Sequence, residues 1–476
     1  MRRRIIAIVT SLPFNKDLFS IVLTTAILLT VVAPVGAQNR QLGVNVLLNT
    51  EVTDKIIAEL DELGRVLDML LQINAVHMKA RQSDIPAIES LPYVEAVSPD
   101  AERYGRPVDT VSAEDFADGY GTWDLDAVDV ITEPESNIRP VAYDGDGVYV
   151  AVLDSGLLDS WRQYFPQERI ATEYAICFGG GGMERGAVSS QPNKWEHDQD
   201  SHGTHVTSTI LGYSFFGFPT NGVAPMAKVI PVKVLNQSGW CWSSVTARGI
   251  VYVADLKAGP LAGYPVVINM SLGGPRLDAV EKAAIDYAVN QGVILVASAG
   301  NRGTAGMGYP GAYAPVISVA ASGWIYEWVW PDFSWPNPYW WWNIDLPEPT
   351  NPDDFYIADW SSRELDGQDL DVAAPGSWVV GPYQLQSGWI SYYFLGGTSM
   401  ASPHVAGIVA LMLQKNSSLT AADAEAILEA NAIPLLPGCQ TVQTPWGWPE
   451  THCWGADATG AGLVSATAAL AATPTP

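Results

Sequence analysis

The sequence predicts an α/β protein: a three-layer domain around a mostly parallel sheet, preceded by a small α+β module. Five short runs, Val148–Leu153, Lys228–Leu235, Val266–Met270, Val293–Ser298 and Val316–Ala320, are predominantly apolar and do not alternate. Such runs mark strands covered on both faces. Helical stretches fit between them, as the crossovers of a parallel sheet require. Ahead of these runs, residues 42–104 order their signals as β-α-β-β-α-β, a compact, ferredoxin-like unit.

Within that leading unit Val44–Leu48 reads as an apolar strand, Thr53 caps a helix through Leu63, and Val66–Ile73 is apolar again. Ala75–Lys79 is a further strand, Ser83-Asp84-Ile85-Pro86 opens a short helix, and Tyr93–Val97 closes the set. From Asp100 to Trp123 the chain turns polar and acidic, with Gly105, Pro107, Gly119 and Gly121, the composition of an exposed, cleavable linker. The expected boundaries are 38–104 for the module, 105–121 for the linker, 122–470 for the α/β domain and 471–476 for a tail. One stretch of the large domain departs from the strand–helix rhythm. Gly323–Trp360 holds eight of the 18 tryptophans, interleaved with six prolines, and reads as an inserted loop. It either folds back and buries its rings or displays them to a polypeptide, glycan or lipid.

The first 37 residues are a separate piece. Arg2, Arg3 and Arg4 precede the apolar run Phe19–Ala33 and the small residues Val35-Gly36-Ala37, the pattern of a cleaved export signal. A retained membrane anchor over residues 19–33 is the alternative. The chain carries 25 Lys+Arg against 51 Asp+Glu, a net charge of -26, so broad binding to nucleic acid or anionic lipid is disfavoured. With 48 % hydrophobic residues it has ample material for a core, which excludes disorder as its main theme. Cys177, Cys241, Cys439 and Cys453 are too few for a disulfide-built miniprotein and lack zinc-site spacing. In an oxidising compartment Cys439 and Cys453 are expected to bridge locally, with Cys177–Cys241 as a second bridge.

Four segments place chemistry beside glycines. Asp154 ends an apolar strand at Ser155-Gly156, His202 opens His202-Gly203-Thr204-His205-Val206, and Ser399 starts an apolar helix in Gly396-Gly397-Thr398-Ser399-Met400. Asn301 follows the strand end Ser298-Ala299-Gly300. A serine hydroxyl is a poor nucleophile near neutral pH and needs a base within about 3 Å. An imidazole can take its proton, a carboxylate can hold the imidazole in the required tautomer, and an amide can donate to the oxyanion. The His202-x-x-His205 spacing also raises a metal site, but no third ligand lies at a suitable spacing.

These segments resemble the subtilisin-like serine protease family (subtilases, peptidase S8) in its known chain order of Asp, His and Ser. Gly222-Val223-Ala224-Pro225, Asn269–Gly274, Tyr309-Pro310-Gly311 and Asp371–Gly376 extend the likeness over roughly Trp123 to Leu470. The resemblance implies Asp154 as the orienting acid, His202 as general base and acid, Ser399 as nucleophile, and Asn301 with the Ser399 N–H as oxyanion donors. It implies that Ser271, Leu272, Gly273 and Gly274 pair with an extended peptide, and that Gly300, Arg302 and Gly308 line the pocket for the residue before the cleaved bond. Arg302 would favour an acid there if it turns into the cleft. Residues 42–104 then resemble the family's inhibitor-type propeptide, cut somewhere between Asp100 and Asp118.

The expected function is therefore a secreted, self-processed serine endopeptidase acting as a monomer on polypeptides, with its own propeptide as intramolecular inhibitor and no nucleic-acid partner. The alternative is a catalytically silent binding protein of the same fold that uses the Trp-rich insertion. No cofactor is needed for the chemistry. Structural calcium is common in the family, but Asp159 is the only acid between Leu157 and Phe165, and Gly212–Asn221 has no carboxylate, so its ligands are not placed. His205, Ser402 and His404 read as structural helix residues.

Overall fold

Asp154 and the other site residues are carried by a computed structural model that describes residues 40–105, 109–112, 121–132, 139–179, 194–329, 336–338, 340–342, 345–347, 350–385 and 389–476. The expected export signal, the glycine run after Gly179 and much of the linker lie outside these residues.

The leading module runs β1 (Gln41–Leu48), α1 (Asp54–Leu63), β2 (Gly64–Leu70), β3 (Ala75–Arg81), α2 (Ile85–Glu89) and β4 (Val94–Pro99). Its antiparallel sheet has the order β2-β3-β1-β4. Thr53 caps α1 by accepting from Ile56 N, and Ile56 and Leu60, one turn apart, face a core shared with Val44, Val46, Met78 and Ile88. Two short strands follow, β5 (Glu102–Tyr104) and β6 (Asp109–Ser112), then α3 (Trp123–Ala127).

In the large domain the chain runs β7 (Tyr149–Asp154), β8 (Ile176–Cys177), α4 (His202–Leu211), a hairpin of β9 (Tyr213–Phe215) and β10 (Phe218–Thr220), β11 (Lys228–Lys233), β12 (Trp240–Trp242) and α5 (Ser243–Ala258). It continues with β13 (Val266–Met270), α6 (Ala279–Asn290), β14 (Val293–Ser298), β15 (Ile317–Trp324), β16 (Phe355–Ile357), β17 (Val372–Pro375), β18 (Val379–Pro382) and β19 (Tyr392–Gly396). The last elements are α7 (Thr398–Lys415), α8 (Ala421–Ala430), β20 (Gly438–Val442), β21 (Glu450–Trp454) and α9 (Ala466–Ala472).

The central sheet has the order β16-β15-β14-β13-β7-β11-β8, with β17 also beside β15. Its pairs are parallel except for β16, which runs against β15. Alternate residues of each strand serve opposite faces: Val150 and Val152 join α4 and α7 in one core, while Ala151 and Leu153 join α5 and α6 in the other. This is why the strands read as largely apolar runs without alternation. β7 lies where the strand order reverses, so its carboxyl end opens into the crevice where open α/β sheets place their ligands.

Where it is described, the insertion folds inward. Trp328, Trp340 and Trp341 are buried, and Trp328 packs on Trp378 and Phe394 at ring distances of 5.5 and 4.6 Å. The backbone N–H of Trp123 donates to Trp341 O at 2.7 Å, tying α3 to the same cluster. Cys439 and Cys453 face each other across β20 and β21 and form a disulfide, as expected. The second expected bridge is absent. Cys177 and Cys241 are free, buried thiols on separate strands, the first directed at Gly179 O and the second 3.4 Å from Thr246 Oγ1. Burial pushes both thiols up, Cys241 to about 12.

Candidate active site

β7 delivers Asp154 at its carboxyl end, fully buried. Its two carboxylate oxygens lie 2.9 and 3.0 Å from His202 Nδ1. His202 is the first residue of α4, preceded by Ser201 at φ 69°, a left-handed conformation that costs a non-glycine residue free energy. Gln384 holds that turn in place, its N–H donating to Ser201 Oγ while Ser201 Oγ donates to Gln384 O. Burial pulls the His202 imidazole down, but the charge and hydrogen bond of Asp154 outweigh it and raise the proton affinity above the ordinary imidazole value. His205, one turn on, is held near 3 by burial and by His202, and so stays neutral.

Ser399 stands in the first turn of α7, 3 % exposed, and its Oγ donates to Ser271 O at 3.2 Å. His202 Nε2 is buried and makes no hydrogen bond among the described residues. The serine and imidazole are therefore not hydrogen-bonded to each other here, a separation that often closes only when substrate binds. Gly105 shows how near they stand: a Cβ on it would fall 3.3 Å from His202 Cε1 and 2.8 Å from Ser271 O, the atom that Ser399 Oγ touches.

Ser399 is held from below by a chain of buried polar groups. Ser402 Oγ donates to Asn269 Oδ1 at 2.6 Å, Asn269 Nδ2 donates to Ser271 Oγ at 3.1 Å, and Ser271 Oγ donates to Ser399 O at 2.8 Å. Asn301 Oδ1 accepts from Thr398 N at 2.9 Å and from Thr398 Oγ1 at 2.8 Å, which fixes the amide with its Nδ2 turned the other way. Beside Ser399 a cavity of about 460 Å³ is lined by Gly273, Gly274, Gly300, Gly308 and Asn301, with Arg302 exposed at its rim. Leu272 is buried in the core beneath. The predicted residues thus gather at one end of the sheet, held by Thr398, Asn269 and Ser402, whose orienting role no local pattern announces.

The module's tail passes through this site. β5 pairs antiparallel with β12, Gly105 N donates to Gly239 O at 2.9 Å, and β6 pairs with β19 on the far side. Asp100 accepts from Ser244 N at 2.9 Å and from the hydroxyls of Ser243 and Ser244, capping α5 from outside the domain.

Away from the cleft, Asp369, Asp371 and Glu425 offer carboxylate oxygens within 4.8 Å of one another. Asp371 is 1 % exposed; its Oδ2 accepts from Ser318 N and Oγ, while its Oδ1 has no hydrogen-bond partner among the described residues. Burial lifts Asp371 and Glu425 to about 7. An orphaned oxygen in an all-oxygen, acidic cluster fits a hard divalent cation.

A parallel α/β sheet that gathers an acid, an imidazole and a helix-start serine at one end is the plan of a subtilisin-like serine peptidase. Residues 145–462 match the subtilase family, Peptidase S8, and the chain belongs to that family. It is 32 % identical to thermitase of Thermoactinomyces vulgaris over 280 residues, covering 54 % of this chain and 85 % of the other. It is 33 % identical to subtilisin E of Bacillus subtilis over 294 residues, covering 61 % of each. Among solved structures, fervidolysin from Fervidobacterium pennivorans, described as a keratinolytic enzyme related to subtilisin, aligns with a TM-score of 0.62 at 25 % identity, covering 92 % of this chain and 62 % of that one. The chain is accordingly a serine-type peptidase whose substrates are polypeptides.

Proposed function

We propose that this chain is an exported serine endopeptidase made as a self-inhibited precursor. The observation that carries the reading is the cleft itself: Asp154 grips His202 Nδ1 at 2.9 Å and leaves Nε2 uncommitted beside Ser399, while Gly105 of the module's tail lies against the imidazole.

In the reaction, Ser399 Oγ attacks the substrate carbonyl carbon as its proton passes to His202 Nε2, and the Asp154 carboxylate stabilises the imidazolium. The oxyanion so formed is met by Asn301 Nδ2 and the Ser399 N–H, donors worth about 3 kcal/mol each in such sites. Collapse breaks the C–N bond, the amine leaves with the imidazolium proton, and the acyl-serine remains. Water, deprotonated by the same imidazole, then releases the acid and restores the serine. Residues 38–104 act as propeptide, supplying an external cap to α5 through Asp100 and, with Gly105 at the start of the linker, filling the cleft through residues 102–105. Residues 1–37 direct export, and the Cys439–Cys453 bridge suits an oxidising compartment. Asp369, Asp371 and Glu425 would hold calcium, which offsets the repulsion of three carboxylates and takes no part in the chemistry.

The test compares the precursor with its Ser399→Ala variant on a gel. Wild type is expected to shorten to the mature domain, to hydrolyse casein and to react with a fluorophosphonate, while the variant stays full-length. Equal shortening of both would remove self-processing from the reading, and a wild-type chain inert towards casein and fluorophosphonate would remove the peptidase.

A further inference from the structure

One side chain of the tail meets an opposite charge inside the domain. Arg103, on β5, is fully buried. Its Nε donates to Glu281 Oε1 at 2.8 Å, its Nη2 donates to Glu281 Oε2 and, at 2.9 Å, to Arg276 O, and Glu281 is buried as completely. This is the two-pronged guanidinium–carboxylate fork, which a lysine ammonium cannot reproduce.

The fork differs from an ordinary core ion pair because its halves belong to separable parts. Glu281 sits in the first turn of α6, where Asp278 already caps the helix through Val280 N and Glu281 N, so the Glu281 carboxylate has no capping duty. The remaining walls are Cys241, opposite Arg103 in the β5–β12 ladder, and Gly274, where an added Cβ would stand 2.8 Å from Arg103 Nη1. Burial lifts the Glu281 carboxyl to about 7, against the pull of Arg103 and with the push of Asp278 and Asp100. When the tail departs, a buried carboxylate loses its cation, a costly state that a new cation would relieve.

Substrate follows the track of the tail, with Gly239 O and Ser271–Gly274 as its rails. A peptide laid there puts its second residue before the cut against the imidazole, where Gly105 sits, and its fourth where Arg103 sits. We infer that Glu281 makes the mature peptidase select arginine at the fourth residue before the cleaved bond, Arg103 being the first occupant of that pocket. A leucine there would desolvate the carboxylate with nothing in return; a lysine would pair with one prong only. The inference rests on the peptidase reading above.

The test uses self-processed enzyme and internally quenched peptides identical except for Arg, Lys or Leu at that residue, with cut positions read by mass spectrometry. Arginine is expected to exceed leucine at least about tenfold in kcat/KM, with lysine between them, because a buried polar site left unpaired rejects its analogue strongly. Glu281→Gln should shrink the ratio to about threefold or less and Glu281→Leu should invert it. A second arm needs no mature variant: Arg103→Leu in the full precursor should slow self-processing, and adding Glu281→Leu should restore it. Wild type that digests casein and labels with fluorophosphonate yet cleaves the arginine and leucine peptides equally overturns the pocket assignment alone. An inert wild type overturns both readings.

Discussion

Among the described residues of the large domain, two fully buried histidines each pair with a carboxylate, and the proposed mechanism uses only one of them. His202 Nδ1 sits 2.9 Å from Asp154, and His404 Nε2 sits 2.9 Å from Asp124; both rings are fully buried. The difference lies at the other nitrogen. His404 Nδ1 is committed to Met400 O at 2.9 Å within α7, whereas His202 Nε2 has no hydrogen-bond partner among the described residues and stands at the cleft. A ring bonded at both ends is a strut that pins α3 to α7; a ring bonded at one end can move a proton. Burial and a carboxylate do not by themselves make a general base, and the uncommitted nitrogen is what distinguishes one.

The largest effect expected from breaking this asymmetry comes from Asp154→Asn. It preserves shape but favours the wrong tautomer, and kcat should fall by about 10⁴-fold. The pH profile sharpens the point. Catalysis needs neutral Nε2, and Asp154 raises the His202 proton affinity, so wild-type kcat/KM should decline on acidification through a midpoint above about 6.5. Residual activity of the Asn variant should have its midpoint below the wild-type one, because burial then acts without the carboxylate; an unmoved midpoint would assign the acid limb to another group. Asp124→Ala makes the converse case. It leaves His404 without its anion and should cost about 3 kcal/mol, seen as a melting temperature lower by roughly 5 °C or more, with kcat at 25 °C within about twofold. A loss of kcat matching that of Asp154→Asn would make the two pairs equivalent and end the distinction.

The sequence made some of this readable and hid the rest for identifiable reasons. Asp154, His202, Ser399 and Asn301 each lie beside glycines at a strand end or helix start, so local pattern exposes them. Their supports do not: Thr398 orients Asn301 from 97 positions away, Ser402 reaches Asn269 across 133 and His404 reaches Asp124 across 280. Pairings of that range carry no local signature. The five central strands were legible because two-sided burial makes them largely apolar. β8, with two residues, and β17, ending at Pro375, are too short for a periodicity to register. Glu281 was overlooked for a related reason: an acid in the first turn of a helix such as α6 ordinarily reads as a solvated, dipole-stabilised charge. Only the buried guanidinium facing it gives it another meaning.

Arg302 supplies the smallest prediction and a last contrast, between a charge in water and a charge in the core. Its side chain is exposed at the rim of the cavity beside Asn301, whereas Arg103 is fully enclosed. Two unit charges about 4 Å apart attract by only about 1 kcal/mol in water, and 1 M salt confines the interaction to about 3 Å. A glutamate immediately before the cut should therefore be favoured by Arg302 less than about fivefold at low salt, the preference vanishing at 1 M salt and in Arg302→Ala. The arginine preference assigned to Glu281 should survive the same salt, because no counterion reaches a buried fork. If both preferences collapse together, the fourth-residue pocket is as wet as the rim; if the Arg302 effect persists at 1 M, its guanidinium must turn inward when substrate binds.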